Sequence, residues 1–362
     1  MIYGLRVVAI GGGTGLAAVL AGLKHFVYPN GVAQRPVKRG STGNHDALEN
    51  IYFADLSALV TVTDDGGSSG RLRDEFQMLP PGDIRNCLVA LSLDESLLAS
   101  LFKYRFEGSG DLGGHNFGNI FLTALTAVTG DFYEAVRAAS HVLATEGRIF
   151  PSTTKSVSLS AELLDGTWVR GETKISESRS PIRRVSLDPP DCPAVQDSLN
   201  ALEEADLILI GPGSLYTSLL PNLMVPGVAE AIARSGGLVV YVCNIMTQPG
   251  ETTCYRIHDH VRSLLEHCPD LPLSFVLANQ TPVPDEILDR YRLDGAEQVL
   301  PAPDLETEQQ HLPCPLVLED LLAAGDVVRH DGTKIARALQ TLFHRVRLRS
   351  SVVRDFDARE AR

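Results

Sequence analysis

The segment from Leu5 to Phe26 constrains the fold more than any other part of the chain. A short apolar run at residues 5–10, rich in β-branched side chains, ends in Gly11-Gly12-Gly13-Thr14-Gly15, and residues 16–26 follow with helical composition. A buried strand that turns through glycines into a helix is an opening unit of an α/β fold. The same unit suits an anion. Glycines let a ligand approach the backbone, the unpaired N–H groups of a helix start face it, and the helix dipole favours negative charge. Thr14 adds a hydroxyl donor. The loop is not the dinucleotide fingerprint, because GxGxxG from Gly11 would need glycine where Leu16 stands. Nor is it a P-loop, because no Gly-Lys-Ser/Thr follows. By itself it is either a phosphate cradle or a tight strand–helix turn.

Further apolar strands are predicted at residues 58–63, 207–210, 238–242 and 273–277, with helices at 228–234 and 254–267. Closing helices are predicted at 316–322 and 334–344. Apolar strands separated by helices imply a mostly parallel sheet covered on both faces, a Rossmann-like three-layer α/β sandwich. Residues 71–148 turn helical without an intervening strand and are read as a helical insertion subdomain. Residues 155–163 and 168–174 are read as a hairpin across Asp165-Gly166. Residues 29–50, polar and rich in Gly and Asn, are read as a surface insertion, and 345–362 as an arginine-containing tail. Residues 1–344 then make one domain.

The net charge of −13 argues against a broad grip on nucleic acid or an anionic membrane. It does not bar a phosphate held locally by backbone N–H groups. Six cysteines without a CxxC pair read as reduced thiols. No leader-like start and no run of about 20 apolar residues is evident, so a cytoplasmic location without a membrane span is expected.

The chemistry-bearing residues cluster at predicted strand ends. Asp64-Asp65-Gly66-Gly67-Ser68-Ser69-Gly70 closes the second strand. Its carboxylates could take ribose hydroxyls, a Mg²⁺ ion or a proton from an attacking hydroxyl, and its glycines and serines could form a second anion nest. Gly211-Pro212-Gly213-Ser214 follows the next strand, Asn244 through Gln248 to Thr252 the one after, and Asn279-Gln280 the last. In open α/β sheets that edge binds ligands where strand order reverses. Two helix starts add candidates. Asp83-Ile84-Arg85-Asn86 is a cap or a clamp through Arg85. In Gly114-His115-Asn116-Phe117-Gly118-Asn119, His115 could meet a phosphate or move a proton while Asn116 caps the helix. His258, His260, His267 and Cys268 lack metal-ligand spacing and are expected on a helix surface. No nucleophile elbow or triad is present.

Together these motifs resemble the gluconeogenesis factor family, the bacterial YvcK-like branch of the CofD or 2-phospho-L-lactate transferase-like superfamily. The resemblance rests on GGGTG, on the run from Val60 to Arg73, on Pro80 to Asn86 and on Gly114 to Asn119. It continues through residues 211–226 and 244–252 to Arg329-His330-Asp331, over most of residues 1–342. It implies a cytoplasmic protein needed for cell shape and for growth on gluconeogenic carbon sources. It also implies UDP-sugar binding, with protein partners in cell-wall regulation and a homo-oligomer as further expectations. In the related branch it implies a Mg²⁺-dependent transferase acting on a nucleotide-diphosphate-linked phospholactate. For the sensor, Gly12 to Leu16 and Gly211 to Ser214 would hold a diphosphate and Asn244, Gln248 and Thr252 the base or ribose. Asp64, Asp65 and the His115–Asn119 loop would contact the sugar. For the transferase, Asp64 or Asp65 would hold Mg²⁺ or act as general base. The 29–50 insertion and the tail depart from the family pattern away from this site.

Overall fold

The computed structural model describes residues 3–28, 51–93 and 97–360, with side chains as far as residue 347. The segment 29–50, read as an insertion, lies outside the described residues. The described strands are β1 (Tyr3–Gly11), β2 (Ile51–Val60), β3 (Arg148–Pro151), β4 (Ser158–Leu163), β5 (Trp168–Arg170), β6 (Ile182–Asp188), β7 (Leu207–Ile210), β8 (Leu238–Val242), β9 (Phe275–Asn279) and β10 (Leu316–Glu319).

Seven of them form one sheet in the order β10-β9-β8-β7-β1-β2-β3. Every pairing in it is parallel. The chain winds from β1 outward through β2 to β3, then returns to β7 on the other flank of β1 and winds outward to β10. Right-handed crossovers in opposite directions place helices on opposite faces. Helix Gly13–Leu23 packs against both Gly82–Leu91 and Gly332–Glu360, and Gln196–Glu203 packs on Val228–Arg234. Because both faces are covered, Val7 to Ile10 and Leu207 to Ile210 are buried at every position. Each Val, Leu or Ile side chain among them contributes about 1.5–3 kcal/mol by leaving water. The α/β, Rossmann-like architecture expected from the sequence is present.

A second, three-stranded antiparallel sheet has the order β5-β4-β6. The hairpin across Asp165-Gly166 exists, but its second strand stops at Arg170. Gly171, at φ 100°, then turns the chain into a helix, Glu172–Ser178. Other elements also differ from the sequence reading. Residues 316–322, expected as a helix, begin with edge strand β10, since so short an apolar run carries no decisive period. Strand β3 lies at the end of the stretch read as wholly helical; four residues are too few to show alternation. Strand β2 begins at Ile51, ahead of the expected start. The closing helix runs Gly332–Glu360, so the backbone read as a tail continues that helix.

The closing helix is anchored by one close backbone approach. A Cβ on Gly22 would land on the carbonyl carbon of Gly332 and the nitrogen of Thr333. Gly22→Ala is therefore expected to destabilise the chain by roughly 2–3 kcal/mol, as overpacking does. A denaturant midpoint unchanged from wild type would refute this packing account.

Candidate functional site

All seven strands of the main sheet run the same way, so their carboxyl ends form one edge. The loops after β1 and β7 flank the point where the strand order reverses. Gly12 is the N-cap of helix Gly13–Leu23 and has no side chain to cap it. Gly13 adopts φ 63° with open space on its Cβ side, a conformation that disfavours other residues. The Asp83 carboxyl lies against this turn, close to Gly12, and the Gly13 N–H acts on it. Among the described residues, the N–H groups of Thr14 and Gly15 meet no acceptor. An uncapped helix start with two free donors is a place for an anion.

The loop after β7 packs directly on the first. A Cβ on Gly15 would sit 2.8 Å from the Pro212 carbonyl oxygen. Buried Asn222 donates to the Gly11 carbonyl at 2.8 Å and to that of Ser218 at 2.7 Å, fastening the two loops together. The loop after β8 joins them. Gly213 N–H donates to Asn244 Oδ1 at 3.4 Å, and Gln248 Nε2 to Ser214 Oγ at 2.7 Å. Gln248 N–H donates to Thr252 Oγ1 at 2.9 Å. The sequence candidates Gly12 to Leu16, Gly211 to Ser214, Asn244, Gln248 and Thr252 thus form one continuous rim.

The loop after β2 adds acids. Asp64 Oδ1 accepts the Gly66 N–H at 2.9 Å, while its Oδ2 and Ser69 Oγ crowd Gly82. Asp83 is not the cap of helix Gly82–Leu91; that position is Pro81. Asp83 instead lies in the first turn and reaches across to the glycine loop. Burial first, then the nearby Asp64 charge, push its carboxyl up to about 6, against the pull of the Gly13 N–H and Arg85. Arg85 donates to Asn86 Oδ1 at 2.6 Å. Asp65 is turned away from the glycine loop. Its Oδ1 accepts Thr173 N–H at 2.9 Å and Thr173 Oγ1 at 2.7 Å, holding the start of helix Glu172–Ser178. That helix, which the sequence reading missed, forms a wall of the site.

Gly67 and Ser68 open helix Gly67–Phe76. Ser68 Oγ is a hub: it meets His115 Nδ1 at 3.1 Å and accepts from Asn116 N–H at 3.3 Å and Asn119 Nδ2 at 3.2 Å. Burial, followed by the Arg71 charge, lowers the His115 pKa and favours the neutral ring. Asn116 is a structural cap, accepting the Gly118 N–H at 2.9 Å. Arg329 is exposed, and no side-chain bond joins it to the rim. Its neighbours are structural: His330 Nε2 donates to the Cys243 carbonyl at 3.2 Å, and Asp331 accepts the Thr333 N–H at 2.8 Å.

Two acids escaped the sequence reading. Glu251, 4 % exposed, accepts from Ser176 Oγ at 3.4 Å and Thr217 Oγ1 at 3.5 Å through Oε1, and its Oε2 has no partner among the described residues. Burial pushes its carboxyl up to about 7. Among the described residues, Glu172 accepts only from Thr63 Oγ1, at 3.4 Å. Burial, then the charges of Asp64, Asp83, Glu251 and Asp65, push it up to about 9. Glu251 stood inside a motif already singled out; nothing local marked Glu172. Among the described residues no three His, Cys, Asp or Glu side chains form a group able to hold a metal ion. The histidines of helix Ile257–His267 pin structure. His260 is fully buried rather than on the surface, donating to the Arg256 carbonyl at 2.8 Å, and His267 Nε2 accepts the Val185 N–H at 3.0 Å.

Comparison with known proteins now places the chain. The family model described as 2-phospho-L-lactate transferase CofD matches residues 7–322. The chain belongs to the CofD family. It is 42 % identical to the gluconeogenesis factor of Bacillus subtilis over 93 % of this chain and 98 % of that one. It is 41 % identical to the gluconeogenesis factor of Halalkalibacterium halodurans over 92 % and 95 %. A crystal structure of a Bacillus halodurans protein superposes with a TM-score of 0.83 at 40 % identity, covering 93 % of this chain and 99 % of that one. No helix among the described residues is long and apolar enough to cross a membrane.

The acid cluster gives this CofD-family chain a defined pH response. The folded-state pKa of Glu172, about 9, lies above its ordinary value of 4.5, so between those values the native state keeps a proton that the unfolded chain has lost. Its contribution to stability falls as pH rises through that window and vanishes as a difference below it. Glu172→Gln is expected to gain roughly 1–3 kcal/mol at pH 8, after allowance for partial solvent access, and almost nothing at pH 4. Denaturation midpoints of both proteins across that range provide the check; equal midpoints at pH 8 would contradict it.

Proposed function

We propose that the chain is a nucleotide-sugar-binding regulator that holds a UDP-sugar along the carboxyl edge of the sheet. The observation that carries the reading is the pair of unpartnered N–H groups, Thr14 and Gly15, at an uncapped helix start pressed against the Gly211–Ser214 loop. A diphosphate fits two adjoining backbone nests of that kind. Asn244 and Gln248 line the side where a base or ribose would lie, and the fully buried Thr252 holds the Gln248 backbone behind them. Asp64 and the His115–Asn119 loop line the side left for the sugar. A neutral His115 suits hydrogen bonding to a hydroxyl better than pairing with a phosphate. The relatives' name, gluconeogenesis factor, favours a role bearing on gluconeogenesis; the regulatory role in cell shape rests on the motif resemblance. Ligand binding would act by favouring one of two partner-binding shapes, which needs different ligand affinities for the two.

The family description favours a second reading, a Mg²⁺-dependent transferase of the 2-phospho-L-lactate type. Asp64 is then the candidate to hold the ion or to take a proton from an attacking hydroxyl. The described residues do not form a ready-made metal cage around it.

Binding and breakdown of UDP-N-acetylglucosamine, measured with and without Mg²⁺, separate the two. Tight binding of an intact ligand supports the regulator. Turnover abolished by Asp64→Asn would overturn it. Thr14→Pro removes one free N–H at a helix position where proline is tolerated. It is expected to weaken binding about tenfold, the worth of one hydrogen bond to a charged group, with little change in melting temperature.

A further inference from the structure

We propose that Glu172 and Glu251 form the hydroxyl-binding end of the ligand site, receiving the sugar of the nucleotide sugar. This rests on the UDP-sugar reading and extends it to two residues outside the recognised motifs.

The two acids come from different elements, Glu172 from the wall helix Glu172–Ser178 and Glu251 from the loop after β8. Ser176, one turn along the wall helix from Glu172, donates to Glu251 and joins them. Asp65 holds the start of the same helix against the loop after β2. The acids are therefore fixed between the two loops that flank the diphosphate rim. Their protein partners are few and weak. Glu172 accepts one long hydroxyl bond from Thr63, and Glu251 Oε2, on a side chain 96 % buried by its 4 % exposure, accepts none among the described residues. A buried, unused carboxylate oxygen is costly unless something else uses it.

Like charges surround the pair: Asp64, Asp65 and Asp83 all act on Glu172, and none of the cations of the site is among its dominant influences. Such an arrangement of mutually repelling acids lowers stability and is characteristic of functional sites. The chemistry narrows the ligand. Raised to about 9 at Glu172 and about 7 at Glu251, these carboxyls keep protons at neutral pH, so the pair both donates and accepts hydrogen bonds. Sugar hydroxyls do the same. A metal ion would want deprotonated oxygens, which carboxyls that keep their protons at neutral pH do not offer. A phosphate would be repelled. The acids thus sort the ligand's orientation, its phosphates toward the glycine loops and its hydroxyl-rich end toward the wall helix.

Calorimetric titration of the full chain with UDP-N-acetylglucosamine and with UDP tests this. Wild type is expected to bind the sugar nucleotide more tightly than UDP. Glu172→Ala and Glu251→Gln are each expected to weaken UDP-N-acetylglucosamine at least tenfold while leaving UDP within twofold. Glu172→Ala should also melt at or above the wild-type temperature at neutral pH, because it removes the cost of keeping a buried carboxyl protonated; this separates loss of a ligand contact from loss of fold. Equal losses on both ligands, or no loss on either, would overturn the assignment alone. Wild type that binds neither ligand would overturn the UDP-sugar reading and this assignment with it.

Discussion

The architecture turns on the close approach of two backbone loops at the switch point of the sheet. The loop after β1 and the loop after β7 meet where a Cβ on Gly15 would strike the Pro212 carbonyl, and Asn222 ties them by donating to Gly11 and Ser218. This contact is possible because adjacent parallel strands β1 and β7 deliver both loops to the same edge. It places an uncapped helix start next to a second glycine turn. A side chain at Gly15 would part the loops and cover the free donors.

Around that contact the structure tolerates electrostatic cost. Asp64, Asp65, Asp83, Glu172 and Glu251 converge on one region, where the half-buried Arg85 acts on Asp83 and Asp64. The chain answers in part by keeping protons, since Asp83, Glu172 and Glu251 all have raised pKa values. It answers in part by hydrogen bonds, as when Asp65 holds Thr173 and Asp64 holds Gly66. The Asp83 carboxylate on the Gly13 N–H links the two themes. An acid of the protein stands beside the first donor of the helix start, and the next two are left for a ligand.

The positions legible in the sequence were those governed by local rules. The strand–glycine–helix unit from Leu5 to Phe26 declared itself through apolar runs and glycine, and β7, β8 and most of β9 did so by continuous burial. Asn116 was legible as a cap because capping acts over three residues. The candidates at strand ends followed from parallel topology, which aligns every carboxyl end on one edge. Arg329 entered through motif resemblance, and its exposed side chain stands apart from the rim's hydrogen bonds.

What the sequence by itself determined is therefore the α/β class, the glycine loop and the set of polar residues at the strand ends, since each depends on neighbours a few positions apart. Only the tertiary structure decided what those residues do. It turned Asp83 from an expected helix cap into a partner of the Gly13 N–H and Asp65 into the anchor of the wall helix. It also brought Glu172 within reach of Asp64 and Glu251. Those outcomes depend on burial and on charges about a hundred residues away along the chain, and no local pattern encodes either.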